Sequence, residues 1–137
     1  MGRRARILVA DDDPRMARAM ERAIRSWGYE VVGVVSSAAE AVEQARRHPL
    51  DLAVLDAGMP GGHGLAAARH LSQRLGIPVI LTSGRGASPA LPDGLDVEVP
   101  CLRKPVELLE LKAALLWALE SETGRMDPVA AYAARAS

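Results

Sequence analysis

Short apolar runs alternate with longer amphipathic ones along the chain, and each change of period marks a new element. Residues 7–10 are an apolar run that ends in Asp11-Asp12-Asp13-Pro14. Pro14 opens a helical pattern in which Met16, Met20, Ala23, Ile24 and Trp27 recur on one face, and Gly28 stands just past its end. Residues 31–35 read as a second strand, and Ser37-Ala38-Ala39-Glu40 is a capping-box match that opens a helix running to Arg47. Residues 52–55 form the next buried strand, which ends at Asp56. The turn-rich Gly58-Met59-Pro60-Gly61-Gly62-His63-Gly64 follows, then a helix over 65–75 closed by Gly76. Residues 78–81 are apolar again and stop at Thr82-Ser83-Gly84. The stretch 85–96 breaks the rhythm, because Gly86, Pro89, Pro92 and Gly94 exclude a regular helix longer than one turn. A last strand is predicted over 97–102, interrupted by Pro100. The helix predicted over 106–119 is strongly periodic through Leu108, Leu109, Leu111, Leu115, Leu116 and Leu119.

Five strands alternating with helices imply a doubly wound α/β fold, an open parallel sheet covered on both faces. Strands buried on both sides are expected as near-continuous apolar runs, and these mostly are. Ligands of such folds bind beyond the carboxyl ends of the strands. Asp11, Asp12, Asp56, Ser83 and Lys104 all fall at such ends.

Composition narrows the reading. The chain has 137 residues, 17 basic and 17 acidic side chains, and a single cysteine, Cys101. One domain over residues 5–120 is expected, with 121–137 as a tail that has room for a short helix after Asp127-Pro128. One cysteine excludes a disulfide framework or a Cys-rich zinc site, and reads as a buried small hydrophobe. His48, His63 and His70 lack metal spacing and read as surface residues. Zero net charge argues against a nucleic-acid platform, and no helix-turn-helix pattern follows the domain. No apolar run approaches the ~20 residues of a membrane span, and the four apolar residues after Arg6 are too few for a signal peptide. A cytoplasmic protein with no membrane or direct nucleic-acid partner is expected. Arginine dominates the basic residues; the only lysines are Lys104 and Lys112.

Neighbouring strands lie about 4.8 Å apart, so carboxylates at adjacent strand ends converge on one small volume. Each pair at 4 Å would repel by about 4 kcal/mol at an effective dielectric near 20, which calls for a proton or a hard cation. Mg²⁺ suits such a site, since it takes one or two carboxylates, waters and a phosphate oxygen. Lys104 offers a compact positive charge, Ser83 a hydroxyl and Gly84 an open backbone N–H. Metal, lysine and hydroxyl together would balance a phosphoryl group carried on one carboxylate.

Four motifs in register, Ile7-Leu8-Val9-Ala10-Asp11-Asp12-Asp13-Pro14, Leu55-Asp56-Ala57-Gly58-Met59-Pro60-Gly61, Pro78-Val79-Ile80-Leu81-Thr82-Ser83-Gly84 and Lys104-Pro105, closely resemble the receiver domain of two-component response regulators. The resemblance covers residues 5–120 and implies a flavodoxin-like (CheY-like) sheet in the order 2-1-3-4-5, here with a shortened or irregular fourth helix, in a stand-alone receiver. It implies that Asp56 is the phosphoacceptor, that Asp11, Asp12, Asp56 and the Gly58 carbonyl hold Mg²⁺, and that Lys104 pairs with the phosphoryl group. Ser83 takes the switch position, counted from Pro78, with Thr82 expected to point elsewhere in the alternating strand. Partners implied are a histidine kinase or histidine phosphotransfer protein, a downstream protein target that the sequence does not name, and a second copy in a homodimer as one use of the tail. The tail would serve equally as a partner-binding segment or as the stub of a longer protein. Such a domain is not an enzyme in the usual sense, catalysing only its own phosphorylation and dephosphorylation.

The departures are specific. His63 stands where the family has an acidic residue, and Cys101 stands where an aromatic normally couples to the switch hydroxyl. Gly58 places no side chain over the phosphoryl position, while Arg85 lies two residues after the switch. These departures keep a second reading open, a phosphorylation-independent docking module with a retained acidic pocket. A third class, a small Mg²⁺-dependent aspartyl-phosphate hydrolase of the haloacid dehalogenase type, is prompted by Asp11-x-Asp13. Pro14-Arg15 in place of that family's Gly-Thr, and a length with no room for a cap domain, weigh against it.

Overall fold

A computed structural model describes residues 4–59, 64–84 and 99–120. The expected irregular fourth helix, His63, Arg85 and the tail therefore lie outside the described residues. The elements run β1 (Arg6–Ala10), α1 (Pro14–Ser26), β2 (Glu30–Val35), α2 (Ala38–Arg47), β3 (Leu52–Asp56), α3 (Gly64–Arg69), β4 (Val79–Ser83), β5 (Cys101–Arg103) and α4 (Leu108–Glu120). All pairings are parallel and the strand order is β2-β1-β3-β4-β5, as the resemblance implied.

The apolar runs become strands because both their faces are covered. On one face Ile7, Val9, Leu52, Val54, Ile80 and Leu102 pack with Met20 and Ile24 of α1 and Leu111 and Leu115 of α4. On the other, Leu8, Ala10, Ala53, Leu55 and Leu81 pack against the alanines of α2 and α3 and Leu71. β3 and β4 are buried at every position, including Asp56 and Ser83 at their carboxyl ends.

Helix boundaries follow the local chemistry. Asp13 caps α1 by accepting from the Arg15 N–H at 3.0 Å, Pro14 occupies the first turn, and Gly28 turns the chain at φ +97°. At α2 the Ser37 hydroxyl accepts from the Glu40 N–H at 3.2 Å, while the Glu40 carboxylate reaches back to the Ser36 N–H at 3.1 Å. These contacts hold the Glu40 carboxyl below its ordinary pKa, the Ser36 N–H foremost.

Four expectations are corrected. The helix expected over 65–75 is α-helical only to Arg69; His70–Arg74 continue as a π-helical turn. The extra residue in that turn leaves Leu75 exposed and brings Ile77 into the core instead. Of the strand expected over 97–102, positions 97 and 98 lie outside the described residues, and β5 is Cys101–Arg103, because Pro100 has no N–H and contributes only its carbonyl, to the Leu81 N–H at 2.9 Å. α4 begins at Leu108, since Val106 is drawn into the core ahead of the first helical hydrogen bond, Leu111 N–H to the Glu107 carbonyl. Its buried stripe is Leu111, Ala114, Leu115, Trp117 and Ala118, which leaves Leu108 and Leu116 exposed and Leu109 at 78% exposure. Cys101 is half-buried at the rim of the second core rather than enclosed by it.

Candidate functional site

The carboxyl ends of β1 and β3 are adjacent, and they deliver Asp11 and Asp56 to one point. Both are almost fully buried, at 2% and 3% exposure, with exposed Asp12 beside them. One oxygen from each of Asp11, Asp12 and Asp56 lies within 4.8 Å of the others. Lys104, just past β5, reaches across to place Nζ 3.0 Å from Asp56 Oδ2 and 3.0 Å from Asp11 Oδ2. The backbone holds the other carboxylate oxygens: Asp13 N–H donates to Asp11 Oδ1 and Gly58 N–H to Asp56 Oδ1, each at 2.8 Å. Lys104 is itself fixed by its own N–H, which donates to the Ser83 carbonyl at 2.8 Å.

The electrostatics record an unbalanced site. Burial, the largest influence, pushes the Asp11 carboxyl above its ordinary pKa, with the Asp56 charge adding to it. The Asp13 N–H and Lys104 oppose that rise without cancelling it. Burial also works against the Lys104 charge, but its hydrogen bonds and ion pairs with Asp56 and Asp11 outweigh this and raise its pKa. One lysine among three acids leaves net negative charge. Asp11 Oδ2 has only the charge contact with Lys104 and no aligned hydrogen bond. A buried carboxylate oxygen whose only neighbouring cation is a lysine shared with Asp56, among hard oxygen ligands, fits a small divalent cation. A groove of about 370 Å³ opens beside these acids, lined by Arg18, Glu21, Ser36 and Glu40 as well as Asp11 and Asp12.

The residues singled out from sequence thus meet in part. Asp11, Asp12, Asp56 and Lys104 come together. Gly58 stands next to them: a side chain there would contact Asp56 Oδ1 at 3.5 Å, so its absence leaves the carboxylate open. Ser83 is buried at the end of β4 with its hydroxyl unpartnered. Strand alternation sets it on the Leu81 face of the sheet, opposite the Asp56 side chain. Thr82 was expected to point elsewhere; the register corrects this, because Thr82 pairs with Asp56 and shares its face. Gly64 was not foreseen. Any Cβ there would run into the backbone carbonyl of Asp56 and the backbone of Ala57, so only glycine lets α3 start against the end of β3. The sequence signal was present in the glycine-rich loop but did not distinguish Gly64 from its neighbours.

Comparison with known proteins gives a consistent result. The family model described as response regulator receiver domain matches residues 7–116. The chain is 37% identical over 79 residues to the transcriptional regulatory protein PdtaR of Mycobacterium tuberculosis, covering 57% of this chain and 38% of that one. It is 33% identical over 118 residues to the transcriptional regulatory protein KdpE of the same species, covering 85% of this chain and 52% of that one. The chain therefore spans about half or less of the length of these curated relatives. The crystal structure of a response regulator receiver domain protein (CheY-like) from Methanospirillum hungatei superposes with a TM-score of 0.76 at 22% identity, covering 90% of this chain and all of that one.

Proposed function

The chain belongs to the response regulator receiver domain family of two-component systems, and from that membership and the site geometry we propose that Asp56 accepts a phosphoryl group. The single observation that carries the proposal is Lys104 Nζ, 3.0 Å from both Asp56 and Asp11 at the open carboxyl end of the sheet. Asp11, Asp12, Asp56 and the Gly58 carbonyl would hold Mg²⁺, which when bound supplies charge neutralisation for the incoming phosphoryl oxygens. Asp56 Oδ2 is the nucleophile. Its Oδ1 stays on the Gly58 N–H, which fixes the carboxylate orientation. The bond to phosphorus forms at Asp56 as the bond to the donor's leaving atom breaks, and that leaving group departs with its electron pair. Lys104 then shifts from the carboxylate it neutralises to a phosphoryl oxygen, and a hard point charge suits that step.

The donor is a histidine kinase or histidine phosphotransfer protein, and the response is a changed protein-binding surface around β4, β5 and α4. Ser83 supplies the switch hydroxyl once the end of β4 turns it toward the phosphoryl group. Its buried, unpartnered state in the resting structure supports that use. The receiver acts in the cytoplasm, catalysing only its own phosphorylation and dephosphorylation. No helix among the described residues is long and apolar enough to cross a membrane.

The test is direct. With Mg²⁺ and acetyl phosphate, the native protein gains one phosphoryl group by intact mass, and Asp56→Asn gains none. Equal incorporation by the two proteins removes Asp56 as the acceptor.

A further inference from the structure

β4 lies between β3 and β5, so Lys104 reaches Asp56 only by crossing over β4. The span is two strand spacings, each about 4.8 Å. Register states what lies beneath the crossing. Asp56 pairs with Thr82 and Thr82 with Leu102, and paired residues of a parallel sheet share a face. Lys104 stands two residues beyond Leu102 and so returns to that face. Gly84 stands two beyond Thr82, with no side chain and nothing within 4 Å of where one would begin, so the path over β4 is clear. Thr82 is thus the floor under the Lys104–Asp56 bridge.

That floor is chemically out of place. Thr82 is fully buried, and its hydroxyl has no hydrogen-bond partner among the described residues. Its partner Leu102 in β5, and Ile80 and Val54 two positions back on the same face of β4 and β3, are aliphatic. Valine has the same shape and would leave no hydroxyl stranded. A buried unpartnered hydroxyl is costly, and Thr82, like the adjacent Ser83, carries one at the carboxyl end of β4, which calls for a use outside the resting arrangement.

We infer that Thr82 is a positioning residue for phosphoryl acceptance, acting through Lys104. The ammonium has three N–H donors, and the resting structure directs it at two carboxylates. When a phosphoryl group on Asp56 draws Lys104 forward, the Thr82 hydroxyl accepts a remaining N–H from below and holds the charge over β4. No bond to Thr82 forms or breaks. The inference rests on the phosphoacceptor reading of Asp56.

Four versions of the 137-residue chain test it: native, Thr82→Val, Thr82→Ser and Asp56→Asn. Each is assayed for phosphorylation rate at saturating acetyl phosphate with Mg²⁺, for beryllofluoride affinity and for thermal midpoint. Thr82→Val is expected to lose about tenfold in both rate and affinity, the worth of one hydrogen bond to a charged group. Its thermal midpoint stays equal to the native value or rises. Thr82→Ser returns rate and affinity to near native values. A merely structural Thr82 would lower rate and midpoint together, and that outcome overturns the inference. So does native behaviour in Thr82→Val, or an equal loss in the serine variant. If Thr82→Val does not fold, Thr82→Ala stands in for it under the same criteria. A native protein that takes neither phosphoryl nor beryllofluoride, indistinguishable from Asp56→Asn, overturns the phosphoacceptor reading and this inference with it.

Discussion

At the scale of single residues, the site is held at a cost that the fold makes visible. The pKa of Asp11 is raised above its ordinary 3.8, so the folded protein binds its proton more tightly than the unfolded chain does. Stability from this group is therefore full below the unfolded value and lost as pH rises through the folded one. Lys104 obeys the same sign at the other end of the scale. Its contribution is complete below 10.5 and disappears as pH climbs through its raised folded value. Asp11→Asn keeps the acceptor for the Asp13 N–H and removes a charge that burial disfavours. Its thermal midpoint in chelator at neutral pH should rise, and the fall in stability that Asp11 brings as pH is raised from acid to neutral should disappear. Melts across that pH range check it, and a midpoint below native would show that the lost Lys104 contact outweighs the relieved burial. The residues of this site were legible because Asp11, Asp12 and Asp56 stand at the ends of apolar runs and Lys104 precedes Pro105 just past the last one. Thr82 was misread because counting along one strand gives alternation but not the face on which the neighbouring strand's side chain emerges.

At the scale of elements, short-range chemistry predicted what short-range chemistry controls. Pro14 and Gly28 bound α1 where the pattern put them, and the Ser37/Glu40 box opens α2 as read. Ser37→Ala should therefore cost about 1 kcal/mol in urea denaturation, with the slope unchanged. The leucine-rich periodicity of α4 overstated its buried face, since only tertiary contact decides which leucines of a wide stripe are covered. Leu111→Ala should cost about 2–5 kcal/mol, whereas Leu109→Lys should stay within about 0.5 kcal/mol of native, both read from denaturant midpoints. A large loss in Leu109→Lys would mean that its exposed position is covered in solution. The π turn at His70–Arg74 had no signal in the period, because one inserted residue in a helix is decided by where Leu71 and Ile77 find space. Gly64→Ala forces a Cβ into the Asp56 carbonyl and should destabilise by about 1–3 kcal/mol while weakening Mg²⁺ binding. Calorimetric titration and melting read the two effects separately.

At the scale of the whole molecule, folding concentrates negative charge that the chain carries in balance. The 17 acidic and 17 basic side chains cancel in sum, yet three acids meet one lysine at a single edge of the sheet. A cation bound there acts on the global stability by mass action. At about 100 times its dissociation constant Mg²⁺ should add about 2.7 kcal/mol, and Asp12→Ala and Asp56→Asn should lose most of that gain in parallel melts. Absence of any Mg²⁺ effect on the native protein would remove the metal from the site.

The order of strands and helices, the caps and the four chemical motifs were determined by the sequence alone. Each rests on contacts within a few residues or on a strict period of burial. Tertiary structure alone decided which leucines of α4 are covered, where β5 begins and that Thr82 shares a face with Asp56. Those depend on strand register and on the crossing of one element over another, which distant parts of the chain settle only when they pack together.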